Sequence, residues 1–480
     1  MKENVLSRKY FLYRHRFGIG YTILLLLFAG LLFFLPLISP NGLSQAEMDS
    51  TVTSAQLSME SISNGEIIDL PYHLLQKVSV ELIGLTPYAI KLPSMIIGLI
   101  LGILLILLLN RWFKNNVAIL ASILTVLSTP FLYLAGSGTP LIMIVFWPTL
   151  LLWLGSKIQG EQKPRISYCF YFIFAMILSI FTPYIMYLVV IIGIYVLLHP
   201  HLRWAVKNLP RIPFIIACMI GAAGVGLMTY TILRNPATGT ELLFMDEFSA
   251  HKFLENLERG FLPFISWSGN VESTLLSPMI GLASIALALT GLISTAKGFF
   301  ASRNSIATMI LLFNLLITGM NPDMAILVLL PLSILTAHGI RYIVDQWYGL
   351  FPENPYARFF GILPIGLFIG VMVVSSSLHY IYGYRYNPAV ANEFNNDLEL
   401  IYESIPDGTT MIASDEKMYD FYKIIEAKTE YKIVRSRRET KETEVASLRK
   451  LENANGYSLE KIIVSPKSYD ADRIYLYKKM

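Results

Sequence analysis

Residues 17–38 read FGIGYTILLLLFAGLLFFLPLI and carry no charged side chain. Because about 20 consecutive apolar residues form a helix long enough to cross a bilayer, this stretch predicts a membrane span. Basic residues precede it, as they precede the apolar core of a signal peptide: Arg8, Lys9, Arg14 and Arg16. The run is longer than a signal-peptide core, however, and no cleavage site of small residues follows it. We therefore interpret it as an uncleaved first span.

Similar stretches recur along the chain, which has 480 residues, 54% of them hydrophobic and 15% charged. Soluble proteins carry about 25% charged residues, so most of this chain has no need of a water-facing surface. The apolar runs predict a mainly α, polytopic membrane protein with about eleven transmembrane helices. The predicted spans are residues 17–38, 92–109, 117–135, 140–155, 166–182, 184–199, 212–233, 276–296, 305–319, 322–340 and 359–380.

Basic residues determine the predicted orientation, because the cytoplasmic loops of membrane proteins are enriched in Lys and Arg. With the N-terminus in the cytoplasm, the cytoplasmic segments carry 17 Lys and Arg residues and the outer loops of the membrane part carry 5. An odd number of spans then places the C-terminus outside, in a multi-pass protein of the cell membrane. Both long loops, 39–91 and 234–275, lie on the outer face, where we expect the function. The net charge of +4 is small and gives no indication of nucleic-acid binding.

The composition changes near Asn387, which divides the chain into a transmembrane domain, residues 1–386, and an extracytoplasmic domain, residues 387–480. Alternating strands and helices predict that the second part is a small α/β domain. It contains no glycine-rich phosphate loop or catalytic motif, which favours a docking or lid role. Its predicted strands are 410–413, 431–434, 461–464 and 473–477, and its predicted helices are 416–428 and 442–453.

The first outer loop carries two acids just beyond the first span, Glu47 and Asp49. A carboxylate at the membrane boundary is partly desolvated, which makes it a better proton acceptor near neutral pH. A structural alternative exists, because Ser44-x-x-Glu47 has the spacing of a helix capping box. The loop also predicts two short amphipathic helices, residues 45–59 and 71–83, on the membrane surface.

Three further polar residues of this loop each allow two interpretations. His73 has the chemistry of a base or a ligand, but a lone histidine is more commonly an interfacial residue with a hydrogen-bond partner. Lys77 fits a solvated helix face as well as a binding site. Lys91, at the start of the second span, is suited to binding a phosphate group or to anchoring the span at the membrane interface.

Four short motifs follow one another in this region: Ala46-Glu47, Leu70–Leu75 (LPYHLL), Ile83-Gly84 and Lys91–Ser94 (KLPS). In order and spacing they resemble the membrane glycosyltransferases of the GT-C type. The similarity is to the branch that contains protein O-mannosyltransferases and the aminoarabinose transferase of lipid A. Members of that branch have an acidic residue early in the first outer loop, a proline–aromatic stretch, a Phe-Gly pair and Arg-Leu-Pro-Ser at the second span. The resemblance covers residues 17–155 and is architectural beyond them.

The chain departs from the family pattern at two points. The acidic pair of the relatives is reduced to Glu47, with Asp49 two residues later. The turn after the third span, residues 135–140, reads AGSGTP and lacks the second acid that relatives often carry there. If that acid matters to the relatives, this chain has a replacement for it, uses different chemistry or is inactive.

The resemblance implies transfer of a sugar from a polyprenyl-phosphate carrier to an acceptor on the outer face, with inversion at the anomeric carbon. It implies that Glu47 is the base that takes the proton of the acceptor hydroxyl, with Asp49 as the second candidate. It also implies that Lys91 lies beside the phosphate, where a cation stabilises the leaving group. The other substrate-binding candidates are Tyr72, His73, Lys77 and Arg234. The scheme requires no cofactor, although some relatives use a divalent cation, and it leaves a protein, a lipid or a glycan as the acceptor.

Two other functions remain open from the sequence. A transporter or lipid flippase usually carries ionisable residues within its spans or has paired internal repeats. The predicted spans of this chain are nearly free of charge, which favours an enzyme with its polar chemistry at one face. A non-catalytic scaffold with the glycosyltransferase fold is compatible with the missing second acid.

Overall fold

The computed structural model describes most of the chain. The described residues are 11–40, 42–160, 166–198, 200–207, 211–243, 252–266, 275–298, 301–351, 353, 355–391, 393–413, 416–435, 442–451, 456–464 and 473–480.

Helices dominate the described structure. In chain order they are α1 (Phe11–Phe34), α2 (Gln45–Gln56), α3 (Met59–Ser63), α4 (Leu70–Ile83), α5 (Pro87–Trp112), α6 (Asn115–Val126), α7 (Thr129–Gly136), α8 (Ile142–Gly160), α9 (Ile166–Ser179), α10 (Ile185–Leu198), α11 (Pro200–Lys207), α12 (Arg211–Arg234), α13 (Pro236–Leu243), α14 (Phe253–Ile265), α15 (Leu282–Lys297), α16 (Ser302–Met320), α17 (Leu329–Leu350), α18 (Pro355–Tyr386), α19 (Pro388–Ala391), α20 (Asp397–Ser404) and α21 (Glu416–Lys428). The strands are β1 (Leu43–Ser44), β2 (Phe394–Asn395), β3 (Thr410–Ile412), β4 (Lys432–Val434), β5 (Glu444–Ser447), β6 (Tyr457–Val464) and β7 (Arg473–Lys479).

Seven stretches of helix among the described residues are long and apolar enough to cross a membrane, and the number is eight if α6 and α7, which meet at a 59° bend, form one broken span. The remaining predicted spans, 166–182, 184–199 and 276–296, coincide with the shorter apolar helices α9, α10 and α15. A helix of about 14 residues reaches about 21 Å, less than the hydrocarbon thickness of about 30 Å. The structure is therefore that of a polytopic membrane protein, while the number of eleven spans stays a prediction.

Helices α15 and α17 pack with their backbones in close contact. Gly291 of α15 faces the carbonyl group of Leu335, and Gly339 of α17 faces the carbonyl group of Leu287. A Cβ atom at either glycine would overlap the facing carbonyl oxygen. Small residues permit this close approach in membranes, where van der Waals packing holds helices together.

Gly291→Ala is therefore expected to force α15 away from α17 and to destabilise the protein by about 1–3 kcal/mol, the usual cost of over-packing. Gly370→Ala in α18 is the matched control, because nothing lies within 4 Å of a Cβ built at this position. Thermal unfolding of the detergent-solubilised proteins compares the two variants. An unfolding temperature for Gly291→Ala equal to that of the parent protein would contradict this packing.

The loop between the first two long spans folds into β1, α2, α3 and α4. Its two predicted helices are confirmed as α2 and α4. Pro71 lies in the first turn of α4, where its missing N–H group costs no hydrogen bond. One exposed face of α4 carries the apolar side chains of Leu74, Leu75, Val78 and Leu82. An exposed apolar face of this kind is typical of a helix that lies on a membrane surface.

The C-terminal part of the chain packs onto this loop. Strand β1 pairs antiparallel with β2, so that Ser44 lies opposite Phe394. Helix α21 contacts α2, and a buried apolar cluster joins Met48 and Ile90 to Phe421 and Tyr422. The start of α2 is therefore held between the membrane helices and the C-terminal elements.

The C-terminal strands β3 to β7 form a five-stranded sheet in the order β4-β3-β5-β7-β6. Strand β3 is parallel to β4 and β5, while β7 is antiparallel to β5 and β6. The four predicted strands correspond to β3, β4, β6 and β7, and the predicted helix 416–428 is confirmed as α21. The prediction that residues 387–480 form a separate domain stays a prediction.

The predicted helix 442–453 is wrong over Glu444–Ser447, which form the central strand β5. The sequence there is rich in helix-forming residues, but Val445 and Ala446 are buried between neighbouring strands. Pairing on both edges and burial outweigh the local helix propensity. The end of the predicted helix, residues 452–453, lies outside the described part of the chain.

Candidate active site

Glu47 lies in the first turn of α2, within the capping box that its spacing predicts. The backbone N–H of Glu47 donates to Ser44 Oγ at 3.3 Å, and the backbone N–H of Ser44 donates to Glu47 Oε2 at 2.7 Å. This reciprocal pair satisfies two N–H groups at the start of the helix. The capping interpretation of Glu47 is therefore confirmed, and it fixes the position of the carboxylate.

The other oxygen of Glu47 faces the membrane helices. The backbone N–H of Gly138 donates to Glu47 Oε1 at 2.7 Å. Lys91 Nζ lies 3.8 Å from the same oxygen, and both side chains are 1% exposed. A buried ion pair persists when additional hydrogen bonds satisfy its two groups, and Glu47 meets this condition.

The ammonium group of Lys91 also donates hydrogen bonds to backbone carbonyl groups. Its Nζ donates to Gly42 O at 2.8 Å and to Pro40 O at 3.3 Å. The Lys91 side chain thus joins the start of α5 to the segment between the first span and β1. Two motifs of the family resemblance, which are more than forty residues apart in the sequence, meet in this one ion pair.

The turn after α7 takes part through its backbone. A Cβ atom at Gly138 would lie 2.8 Å from Ile90 Cγ2, so glycine allows the turn to approach α5 closely enough to reach Glu47. In the sequence this turn was notable only because it lacks the second acid of the relatives. The structure shows that it contributes a hydrogen-bond donor to Glu47 instead.

Tyr72 lies beside this ion pair and is completely buried. Its hydroxyl group shares a hydrogen bond of 2.8 Å with Ser94 Oγ, which connects the LPYHLL and KLPS motifs. Burial raises the pKa of Tyr72 well above the ordinary value, and the negative charges of Glu47 and Asp69 raise it further. The phenol therefore stays protonated at neutral pH and can serve as a hydrogen-bond donor.

Asp69 is a buried acid for which the sequence predicted no role. It precedes α4 in a left-handed conformation, with φ of 47°, and its backbone N–H donates to Phe181 O at 2.8 Å. Burial raises the pKa of Asp69 to about 7, the hydrogen bond with Thr182 lowers it, and the charge of Glu241 raises it. Among the described residues no hydrogen-bond partner satisfies Asp69 Oδ1. The sequence feature that could have indicated Asp69 is its position as an acid three residues before Tyr72, at the start of a predicted helix.

His73 belongs to a different group of hydrogen bonds, which joins α2 to α4. Its Nδ1 lies 2.8 Å from Ser54 Oγ, and Ser54 also donates to Gln76 Oε1 at 2.6 Å. Gln76 Nε2 donates in turn to Gly138 O at 2.9 Å. Burial lowers the pKa of His73 to about 4, so the ring is neutral at pH 7. This network braces the loop around Glu47, and no local sequence pattern indicated that Gln76 belongs to it.

The remaining candidates lie away from the ion pair. Asp49 is exposed and accepts a hydrogen bond of 2.9 Å from Gln45 Nε2. Lys77 donates to Leu57 O at 2.6 Å, just beyond the end of α2. Arg234 is exposed at the end of α12, with its guanidinium group 5.0 Å from the centre of the Tyr230 ring. Roles in substrate binding for these residues stay predictions.

A bound divalent cation also stays a prediction. Within the described ranges, no three His, Cys, Asp or Glu side chains are grouped closely enough to hold a metal ion. Asp69 and Glu241 are near enough for their charges to interact, but two carboxylates alone fall short of such a group.

The fold and part of the sequence match known proteins. The family model described as dolichyl-phosphate-mannose-protein mannosyltransferase matches residues 71–226, which is less than half of the chain. That segment begins in the LPYHLL motif and includes Lys91 and the Gly138 turn. None of the curated proteins compared with the chain matches its sequence.

Three solved structures resemble the whole architecture. The crystal structure of ArnT from Cupriavidus metallidurans bound to undecaprenyl phosphate has a TM-score of 0.55 and 12% identity, over 95% of this chain and 98% of that one. The same protein in the apo state has a TM-score of 0.53 and 12% identity, over 96% and 98%. The oligosaccharyltransferase of Archaeoglobus fulgidus, tethered with an acceptor peptide, has a TM-score of 0.50 and 11% identity, over 88% of this chain and 64% of that one.

At this level of identity the solved structures show a shared fold. Together with the family model, the fold indicates a membrane glycosyltransferase of the GT-C type. The similarity extends to the branch that the sequence motifs resemble, since the matched family model is that of a protein mannosyltransferase. A transporter or lipid flippase is not favoured by either comparison.

Proposed function

We propose that the protein transfers a sugar from a polyprenyl-phosphate carrier to an acceptor hydroxyl group at the extracytoplasmic face of the cell membrane. The observation that carries this proposal is the buried ion pair between Glu47 and Lys91 at the start of α5. It brings together a proton acceptor for the attacking hydroxyl and a positive charge for the leaving phosphate. The excess of Lys and Arg in the predicted cytoplasmic loops supports the outer face as its location.

Two of the similar proteins support the choice of substrates. ArnT has been captured with undecaprenyl phosphate, and the archaeal oligosaccharyltransferase with an acceptor peptide. By analogy, we propose a polyprenyl-phosphate-linked sugar as the donor. The acceptor is a hydroxyl group carried by a protein, a lipid or a glycan.

A cavity between the membrane helices offers a place for the lipid chain. Its volume is about 500 Å³, and it lies between the α6–α7 bend and helices α15, α17 and α18. Most of its lining is apolar, with Leu124, Ile280 and Phe368 among the lining residues. Helix α7 leads from this cavity to the Gly138 turn over a length of about 12 Å. An isoprenoid chain in the cavity would therefore end near Glu47.

The reaction is a single displacement at the anomeric carbon. The acceptor oxygen forms a bond to that carbon, the bond from carbon to the phosphate oxygen breaks, and the polyprenyl phosphate leaves with the electron pair. Glu47 takes the proton of the acceptor hydroxyl, and Lys91 stabilises the phosphate charge. The weakest hydrogen bond of Lys91, 3.3 Å to Pro40 O, is the one that a phosphate oxygen replaces most readily.

Asp69 is the residue that we propose as the replacement for the relatives' second acid. Its charge acts on Tyr72, as does that of Glu47, so both carboxyl groups lie within electrostatic range of the same phenol. A pKa of about 7 lets Asp69 exchange a proton near neutral pH. Asp49 remains the second candidate for the base, although its exposed position offers less desolvation than that of Glu47.

Glu47→Gln is expected to lower the rate of sugar transfer by about 10²–10⁴-fold, the usual contribution of a positioned general base. Glutamine is also found at this position of capping boxes, so its oxygen can keep the hydrogen bond from the Ser44 N–H and with it the start of α2, while its NH2 group cannot accept from the Gly138 N–H. Glu81→Gln is the matched control, because this glutamate lies in the same loop with a side chain 57% exposed. The assay measures transfer from a radiolabelled polyprenyl-phosphate sugar in proteoliposomes.

The result also separates the enzyme from its rivals. A scaffold would show no transfer in the parent protein, and a flippase would move the labelled lipid between leaflets without transferring its sugar. Full activity in Glu47→Gln would remove the catalytic role of Glu47, and activity lost only in Asp49→Asn would assign the base to Asp49.

A further inference from the structure

Four basic side chains surround a second cavity at the other end of α5. Helix α5 has Lys91 near its start and Arg111 near its end, about 30 Å apart at 1.5 Å per residue, which is the thickness of the hydrocarbon layer. The cavity therefore lies on the face of the membrane opposite to Glu47. Its volume is about 350 Å³, and its basic residues are Arg111, Lys114, Arg303 and Arg341. Asp345 is the acidic residue among the lining residues, so positive charge is in excess.

The basic residues converge from three separate parts of the chain. Arg303 comes from α16, and its Nη1 donates to Trp112 O at 2.7 Å, which holds the guanidinium group against the end of α5. The same guanidinium lies 5.7 Å from the centre of the Phe113 ring. Arg341 comes from α17, where Asp345 Oδ2 accepts from its Nε at 3.3 Å. The orientation of a membrane protein depends only on having basic residues in its cytoplasmic loops. In this protein the basic side chains also line one common cavity.

An apolar cavity adjoins the basic one. Its volume is about 420 Å³, and it shares Arg111, Trp112 and Arg303 with the basic cavity. The rest of its lining is largely apolar, with Leu152, Phe172 and other side chains of α8, α9, α10 and α16. The two cavities together present a charged compartment at the membrane face and an apolar compartment beside it.

We propose that these two adjacent cavities bind one anionic phospholipid, with the phosphate in the basic cavity and an acyl chain in the apolar one. Arginine guanidinium groups bind phosphate oxygens through paired, charge-assisted hydrogen bonds. Basic pockets between membrane helices are suited to anionic lipid head groups. A free phosphate ion shares the head-group chemistry but leaves the apolar cavity unused, which favours the lipid. The site is separate from the proposed sugar-transfer site.

Native mass spectrometry of the detergent-solubilised full chain tests this proposal. Phosphatidylglycerol and phosphatidylcholine with the same acyl chains are added in turn, and the bound lipid is counted. We expect retention of phosphatidylglycerol to exceed that of phosphatidylcholine about tenfold, a difference of about 1.4 kcal/mol. Arg111→Gln combined with Arg341→Gln should bring the ratio close to one.

Arg203→Gln combined with Arg211→Gln is the matched control, because it removes two exposed arginines outside both cavities. This control should keep the lipid preference of the parent protein. Equal retention of the two lipids by the parent, or equal loss in both double variants, would overturn the proposal. If inorganic phosphate stabilises the protein against heat but phosphatidylglycerol is not retained, the ligand of the basic cavity is a free anion. This result would overturn the proposal that the ligand is a lipid.

Discussion

Replacing Lys91 with methionine is expected to destabilise the protein by about 3 kcal/mol and to reduce sugar transfer by at least about 10²-fold. The loss of stability follows because Glu47 would stay buried and charged without its cation. Its hydrogen bonds from Ser44 and Gly138 remain, which limits the loss to the lower part of the usual range. The loss of activity follows because the leaving phosphate would lack its positive charge. Thermal unfolding and the transfer assay measure the two effects.

A double-mutant cycle separates stability from catalysis at this pair. Glu47→Gln combined with Lys91→Met removes both charges, so the double variant should lose less stability than the two single variants added together. Sugar transfer should stay low in all three variants, because restored stability supplies neither a base nor a cation. Transfer restored in the double variant would show that the pair has only a structural role.

The exposed pair of Lys77 and Glu81 is the control for this cycle. Their charged atoms lie 3.9 Å apart, almost the distance in the buried pair, but their side chains are 31% and 57% exposed. Exposed ion pairs four residues apart on a helix contribute about 0.3–0.5 kcal/mol to the free energy of unfolding. The coupling energy between Glu47 and Lys91 should be larger than that of this control pair. An equal or smaller value would contradict the idea that burial strengthens the ion pair.

The sequence predicted the spans of this fold better than its contacts. Ten of the eleven predicted apolar runs each correspond to one stretch of helix, and the run 117–135 corresponds to the bent pair α6 and α7, because apolar length is a local property of the chain. The length of each helix in the membrane depends on its neighbours, so the number of spans does not follow from the sequence alone. The capping box at Ser44 and Glu47 was also readable, since its donors and acceptors lie three residues apart.

The geometry of the candidate site depends on contacts between residues that are far apart in the sequence. No short sequence pattern indicates such contacts. The resemblance assigned roles to Glu47 and Lys91, but their contact depends on the close approach of the Gly138 turn and on the pairing of β1 with β2. Strand β5 was missed for a similar reason, because its neighbours in the sheet are distant in sequence. Asp69 was missed because burial gives it its chemistry, and burial is a property of the folded chain.

Asp69→Asn is expected to make the protein more stable than the parent at pH 8 and no more stable at low pH. Burial raises the pKa of Asp69 to about 7 from an unfolded value near 3.8. The folded chain therefore holds this proton more tightly than the unfolded chain. The resulting contribution to stability is complete below pH 3.8 and is lost as the pH rises through 7. Asparagine carries no such proton, and it tolerates the left-handed backbone of this position.

The difference in stability between Asp69→Asn and the parent should grow between about pH 4 and pH 7 to at most about 4 kcal/mol and stay constant above pH 7. Thermal unfolding at a series of pH values measures it. Asp49→Asn is the control, because Asp49 is exposed and its replacement should leave the pH dependence unchanged. A constant difference between Asp69→Asn and the parent across this range would show that Asp69 is ionised throughout.

The same variant tests whether the second acid of the relatives has been replaced. If Asp69 accepts a proton during transfer, kcat/KM of the parent should rise as the pH passes through about 7, and this rise should be absent in Asp69→Asn. A structural role alone would change the unfolding temperature and leave the shape of the pH–activity profile intact. The two profiles together therefore decide between a buried acid that only shapes the loop and one that takes part in the reaction beside Glu47.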